Sequence, residues 1–169
     1  MVRRIHVLRD TGDTMSLTRR AALLLLALAI PVAGTILRPA VAAESEIYAP
    51  GGVAIDGYDV VAYFTQGRPI PGQPGHAIKW HGAMWYFSTA EALEMFEMNP
   101  MAYVPRYGGY CAYAMAKGAL SPTDPAAFTI YDGHLYLTFN PEVRTIWSGD
   151  VSGNIERADA FWSAAAVRH

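Results

Sequence analysis

Cysteine is nearly absent from this sequence of 169 residues, which has a single one at position 111. One cysteine cannot form an intramolecular disulfide, so the chain is not a small domain held together by cross-links. Structural zinc sites usually need at least two cysteines and are excluded for the same reason. Charged residues are also few, at 17%, and the formal net charge of -2 gives no basic surface for nucleic acid. A hydrophobic content of 52% indicates one ordinary globular domain.

Long hydrophobic runs are scarce as well. The main uncharged apolar stretch covers residues 21–33, which is shorter than the roughly 20 residues that a membrane span needs. It follows Arg19 and Arg20, and small residues precede position 44. This order predicts a secretory signal peptide over residues 1–43, of a general or a twin-arginine type, and therefore a periplasmic or secreted protein. The alternative is an uncleaved N-terminal anchor.

The chain that remains after this cleavage is acidic. Residues 44–169 hold seven basic and 13 acidic side chains, a net charge of -6, together with all 20 aromatic residues. We expect no nucleic-acid partner and no stable membrane span after signal cleavage. The aromatic residues are numerous enough to form a hydrophobic core. Residues 44–52 are interpreted as a flexible connecting segment, and residues 53–169 as a single domain.

Turn residues and hydrophobic spacing predict a mixture of helices and hairpins. The sequence predicts an α+β fold in which a small antiparallel sheet of hairpins is packed by three to four helices. The predicted strands are residues 60–65, a hairpin of residues 77–81 and 83–87, and a hairpin of residues 128–131 and 135–139 around Asp132-Gly133. The predicted helices are one capped by Ser88 or Thr89, residues 110–117, one from Asn140 to about residue 148, and residues 155–167.

Several motifs together resemble one known family. They are Gly-Tyr-Asp-Val-Val-Ala-Tyr-Phe at residues 57–64, Tyr-Gly-Gly-Tyr-Cys-Ala at 107–112 and Asp-Gly-His-Leu-Tyr-Leu at 132–137, with Phe87, Phe96, Pro100, Tyr103, Trp147 and Trp162. From about Val53 to Trp162 the chain resembles the YHS-domain family, specifically its exported bacterial branch. The resemblance implies a YHS-like single domain. It also implies metal binding, because related members are associated with heavy-metal sensing, transport and trafficking.

One part of the family pattern is missing. The metal-binding members carry Phe-Cys-Ser-x-x-Cys-x-x-x-Phe, and the matching residues here are 87–96, with Ser88 and Ala92 at the two cysteine positions. We therefore expect no family-type cysteine site there. The aromatic frame is expected to pack a helix onto the hairpin instead.

The lone thiol is the main candidate for chemistry. Cys111 follows two glycines near the start of a predicted helix, and Met115 lies four residues later on the same helical face. A thiolate and a thioether are soft ligands that suit copper as Cu(I), and His134, His81 or His76 would complete the site. The alternatives are that Cys111 is a small buried core residue, or that it serves redox or covalent chemistry.

A group of tyrosines near Cys111 is the second candidate site. Tyr58, Asp59, Tyr63, Tyr107 and Tyr110 form either the polar floor of a ligand pocket or a structural hydrogen-bond network. The sequence leaves both interpretations open.

The sequence thus predicts an exported, non-catalytic protein that binds or traffics a soft metal, copper, through Cys111. The predicted partners are a metal ion or small ligand, and another exported protein as the recipient. The alternative is a small-molecule or protein-interaction module in which Cys111 is structural. A thiol-dependent enzyme is a third hypothesis, for which the sequence shows no acid/base pair.

Overall fold

The computed structural model describes residues 46–166 of the chain, and the side chains of residues 46–164. The predicted signal peptide, residues 1–43, lies outside the described residues, as do residues 44, 45 and 167–169. The described residues belong to one compact unit. None of their helices is long and apolar enough to cross a membrane.

The predicted α+β class is confirmed. The described part of the chain forms two separate two-stranded antiparallel sheets and five α-helices, where the sequence predicted one sheet and three to four helices. The elements are α1 (Val60–Thr65), β1 (Gln73–Trp80), β2 (Ala83–Phe87), α2 (Ala90–Met98), α3 (Ala112–Ala116), β3 (Asp124–Tyr131), β4 (His134–Thr138), α4 (Pro141–Ser148) and α5 (Val151–Ala166), with short 3-10 turns at Pro50–Gly52, Ala54–Gly57, Pro100–Ala102 and Arg106–Gly109.

Both predicted hairpins are present. His81-Gly82 joins β1 to β2, and Asp132-Gly133 joins β3 to β4, with positive φ at both residues of each turn. This is the backbone of the two-residue turns that match the twist of paired strands. Each ladder shifts its register once, near the start of its first strand.

The prediction of a strand over residues 60–65 is wrong, because these residues form α1. The reason is Asp59, whose Oδ1 accepts hydrogen bonds from the backbone N–H groups of Val61 at 2.9 Å and Ala62 at 3.3 Å. Such a cap satisfies N–H groups that a helix start otherwise leaves unpaired. It outweighs the preference of β-branched and aromatic residues for strands, which depends on context.

Helices α2 and α4 also begin directly after a capping residue. Thr89 Oγ1 accepts a hydrogen bond from the N–H of Ala92 and opens α2, so the cap is Thr89 and not Ser88. Asn140 caps α4 as predicted. Helix α5 begins at Val151, four residues before the prediction.

The strand β4 separates two hydrophobic clusters. Its Leu135 and Leu137 belong to the first cluster, which contains rings of β2 and α2 such as Trp85 and Phe96. Tyr136, between those leucines, belongs to the second cluster with buried residues of α3, α4 and α5. Because side chains alternate along a strand, β4 is covered on both faces, and the residues from Leu135 to Thr138 are all buried.

Candidate functional site

Cys111 is closed to solvent in this fold. It stands at the N-terminal cap of α3, where its Sγ accepts a hydrogen bond from the N–H of Ala114 at 3.5 Å. Its own N–H donates to the carbonyl of Ser121 at 3.0 Å. With 1% of its surface exposed, the residue acts as a cap and a small packing group.

The other predicted copper ligands lie in different surroundings. Met115 is buried in the second cluster, while His81 and His134 are exposed at the two hairpin turns. His81 Nδ1 lies 3.3 Å from Glu46 Oε2. Among the described residues, no three His, Cys, Asp or Glu side chains form a group suited to a metal ion. The copper site therefore stays a prediction without support from the arrangement of these side chains.

The predicted tyrosine site is divided between the two clusters. In the first cluster, Tyr63 is buried and its hydroxyl donates to the carbonyl of Pro125 at 2.9 Å. Burial raises the pKa of this phenol, and Tyr58 is the first of the nearby groups that raise it further. The described hydrogen bonds of Asp59 come from other residues. Its Oδ2 accepts from the N–H and the hydroxyl of Ser88, at 2.9 and 2.6 Å.

Tyr107 belongs to the second cluster and attaches a turn to α5. Its hydroxyl donates to Asp159 Oδ1 at 3.0 Å, and Arg106 donates to the same oxygen at 3.0 Å. Burial raises the pKa of the Tyr107 phenol, and the hydrogen bond to Asp159 and the charge of that carboxylate raise it further. Tyr107 thus has a structural role in the described fold.

The Gly108-Gly109 pair brings the N-terminal segment close to Tyr110, the last residue of the predicted tyrosine site. Gly108 has φ +60°, and a Cβ at this position would overlap the carbonyl oxygen of Glu46. The carbonyl of Gly108 accepts a hydrogen bond from the N–H of Tyr48 at 2.9 Å. This contact holds the Tyr48 ring beside the Tyr110 ring, with centroids 5.5 Å apart and an interplanar angle of 62°.

A groove with a volume of about 330 Å³ opens beside these two rings. Among the described residues that line it there is no charged side chain, and Ser121 carries the only hydroxyl apart from the two phenols. Burial raises the pKa of the Tyr48 phenol, and the negative charges of Asp56 and of the ionised Tyr110 phenol raise it further. The groove is lined by Ile47, Tyr48, Ala49, Pro50, Tyr110, Leu120, Ser121 and Pro122.

Sequence reasoning selected Tyr110 but missed the other residues of the groove. Ile47 to Pro50 lie in the segment 44–52 that the sequence indicated as a flexible connection, yet Ile47 is buried in the first cluster. The available signal was the Gly108-Gly109 pair, which indicates that a backbone passes close by. It does not say which segment that is.

No protein family model matches this chain, and neither a curated protein nor a solved structure is found to be similar to it. The resemblance to the YHS-domain family therefore stays a prediction.

Proposed function

We propose that this chain is a non-catalytic binding protein for a small molecule, and that its site is the Tyr48–Tyr110 groove. Cys111 then serves the fold and not the chemistry. The observation that supports this function is the groove itself, in which two aromatic rings and an uncharged described lining meet next to the Gly108-Gly109 turn.

The size and composition of the groove suit a ligand. A volume of about 330 Å³ is at the lower end of the range of roughly 300–1,000 Å³ that small-molecule sites occupy. Aromatic side chains provide a large apolar contact area, and the phenol groups add hydrogen-bonding capacity at the edge. The ligand proposed on these grounds is small and has an apolar or aromatic face.

The lining argues for binding without catalysis. The described residues that line the groove include no cysteine, histidine, lysine or carboxylate to serve as nucleophile, acid or base. The hydroxyl of Ser121 donates to the carbonyl of Pro122 at 3.4 Å, and a backbone carbonyl is too weak a base to activate it. We place this binding activity outside the cytoplasm, because the sequence predicts a signal peptide.

The proposal is tested by mapping a neutral aromatic probe, indole, onto the protein by NMR. Amide shifts are expected to cluster at residues 47–50, 110 and 120–122. The Ala49→Phe variant fills the groove and should abolish these shifts, whereas Ala126→Phe, at an exposed position of β3, should retain them. Shifts that scatter over the surface, or that survive unchanged in Ala49→Phe, would overturn the proposal.

A further inference from the structure

We propose that the Tyr48–Tyr110 groove selects a small organic cation, with a quaternary ammonium group as the part that the rings contact. This inference rests on the function proposed above and names the class of ligand. It follows from the geometry of the two rings and from the carboxylate of Asp56 beside Tyr48.

The two rings form two walls of a corner. Their centroids are 5.5 Å apart and their planes are inclined by 62°, so one ring presents its edge to the other. Both rings are only partly buried and line the groove. The faces of aromatic rings carry negative charge density and attract ammonium groups within about 6 Å of the centroid. A cation that enters the groove therefore meets the aromatic surface that this pair leaves exposed.

The backbone places a carboxylate next to this corner. The N–H of Ile55 donates to the carbonyl of Tyr48 at 3.1 Å, and the next residue, Asp56, is exposed. Partial burial raises the pKa of the Asp56 carboxyl, and the negative charge of Asp124 raises it further. Two carboxylates close enough to disfavour each other's charge are stabilised when a cation binds beside them.

A negative charge acts on the groove from its side. The described residues that line the groove are uncharged, and the carboxylate of Asp56 acts on the Tyr48 phenol. A negative charge at this position attracts cations and repels anions. A metal ion does not fit as well, since the described residues offer no group of three metal-ligating side chains. A bulky, weakly hydrated organic cation matches both the volume and the charge.

The test compares choline with 3,3-dimethylbutan-1-ol, which has nearly the same shape and no charge. NMR titrations of the full mature chain give an affinity and a location for each probe. Choline is expected to bind at residues 47–50 and 110 about tenfold more tightly than the alcohol, a ratio in the range of cation–π energies.

Variants separate the contribution of the ring from that of the charge. Tyr48→Phe keeps the aromatic face and should keep choline affinity within about twofold, whereas Tyr48→Leu should lose most of the preference over the alcohol. Asp56→Asn should weaken choline binding and leave the alcohol unaffected. Its matched control is Asp132→Asn, because Asp132 is an exposed aspartate before a glycine and also has a positive φ, which asparagine tolerates.

The outcomes distinguish the two proposals. Equal affinities for choline and the alcohol at the groove would overturn the selection of a cation and leave the binding function intact. Choline shifts outside the groove would overturn it as well. If neither probe binds while indole still maps to the groove, only the cation inference fails. If indole also fails to bind, the proposed function fails with it.

Discussion

Asp59 is a carboxylate with no solvent exposure and no basic partner among the described residues. Four hydrogen bonds satisfy it instead, two from the first turn of α1 and two from Ser88. Buried charges are costly unless hydrogen bonds compensate them. The side chain therefore joins the start of α1 to the junction between β2 and α2, and we interpret it as a structural residue and not as part of a ligand site.

Replacing this carboxylate by an amide tests that interpretation. Asp59→Asn retains an oxygen for the cap of α1 but turns an N–H₂ group toward the donors of Ser88. We expect the free energy of unfolding to fall by about 1–3 kcal/mol, which is the cost of a buried donor or acceptor left unpaired. Chemical denaturation measures the change.

The control for Asp59→Asn is the same substitution at Asp132, which lies exposed in the β3–β4 turn. Its effect should stay within about 0.5 kcal/mol, as for surface positions in general. An equal effect at both positions would mean that the four hydrogen bonds of Asp59 add nothing to stability.

Cys111 is the second residue on which the account depends. Its thiol accepts a helix-cap hydrogen bond, and serine is a stronger cap. We expect Cys111→Ser to bind Cu(I) with the same affinity as the wild-type chain, measured against a competing chelator. Met115→Leu, which keeps the volume of a buried side chain, serves as the second variant. Loss of one Cu(I) equivalent in both variants would restore the copper hypothesis.

At the scale of elements, the Tyr107–Asp159 contact fastens the turn before α3 to α5. The pKa of Tyr107 is raised in the fold, so the unfolded chain loses this proton first as the pH increases. Stability from this group is fully present below about pH 10, the ordinary pKa of tyrosine, and declines above it.

Unfolding measured across the alkaline range tests this linkage. The free energy of unfolding of the wild type is expected to fall between about pH 10 and 12. The decline should be shallower in Tyr107→Phe, which has no proton to lose at this site. Tyr131→Phe, at the exposed end of β3, is expected to keep the wild-type slope. Identical slopes in all three proteins would show that the Tyr107 contact is not linked to folding.

The contact between the N-terminal segment and the turn Arg106–Gly109 depends on Gly108, which has no side chain. An alanine at Gly108 needs an unfavourable positive φ and overlaps the Glu46 carbonyl. The two costs together predict a loss of about 2–4 kcal/mol in the free energy of unfolding. Gly75 is the matched control, since it has no atom within 4 Å of an added Cβ and no positive φ.

For this pair of alanine variants, thermal or chemical denaturation is the measurement. Gly75→Ala is expected to stay within about 0.5 kcal/mol of the wild type. A Gly108→Ala protein as stable as Gly75→Ala would mean that Glu46 and Ile47 do not pass over the turn as described.

Among the helices and strands, the sequence correctly predicts those whose signals lie in neighbouring residues. Asp132-Gly133 specifies its turn by itself, because few residue pairs tolerate two positive φ angles, and Asn140 caps α4 within one turn. Helix α1 differs from the prediction because its β-branched and aromatic residues favour strands, whereas its cap, Asp59, is a local helix-start signal that outweighs them. The hydrogen bonds from Ser88, 29 residues away, to the other oxygen of Asp59 are long-range and leave no mark in the local pattern.

In the molecule as a whole, the dependence on long-range contacts also explains why the sequence did not predict the groove. The groove forms where Tyr48 meets Tyr110 and Leu120, residues that only the folded chain brings together. The sequence selected Cys111 because thiols carry chemistry, but it does not encode locally whether a thiol is exposed. The α+β class depends on many local signals and was predicted, while the site depends on a few long-range contacts and was largely missed.

The structural role of Cys111 requires its thiol to be closed to solvent, and the proposed binding function requires the groove to be open. The most direct test is the rate at which iodoacetamide alkylates Cys111 in the folded chain at neutral pH, compared with the rate in denaturant. We predict that the folded protein reacts only at the rate at which it unfolds, because the thiol is 1% exposed. Rapid alkylation of the folded protein would contradict the structural role of Cys111. It would instead support a function that depends on the Cys111 thiol.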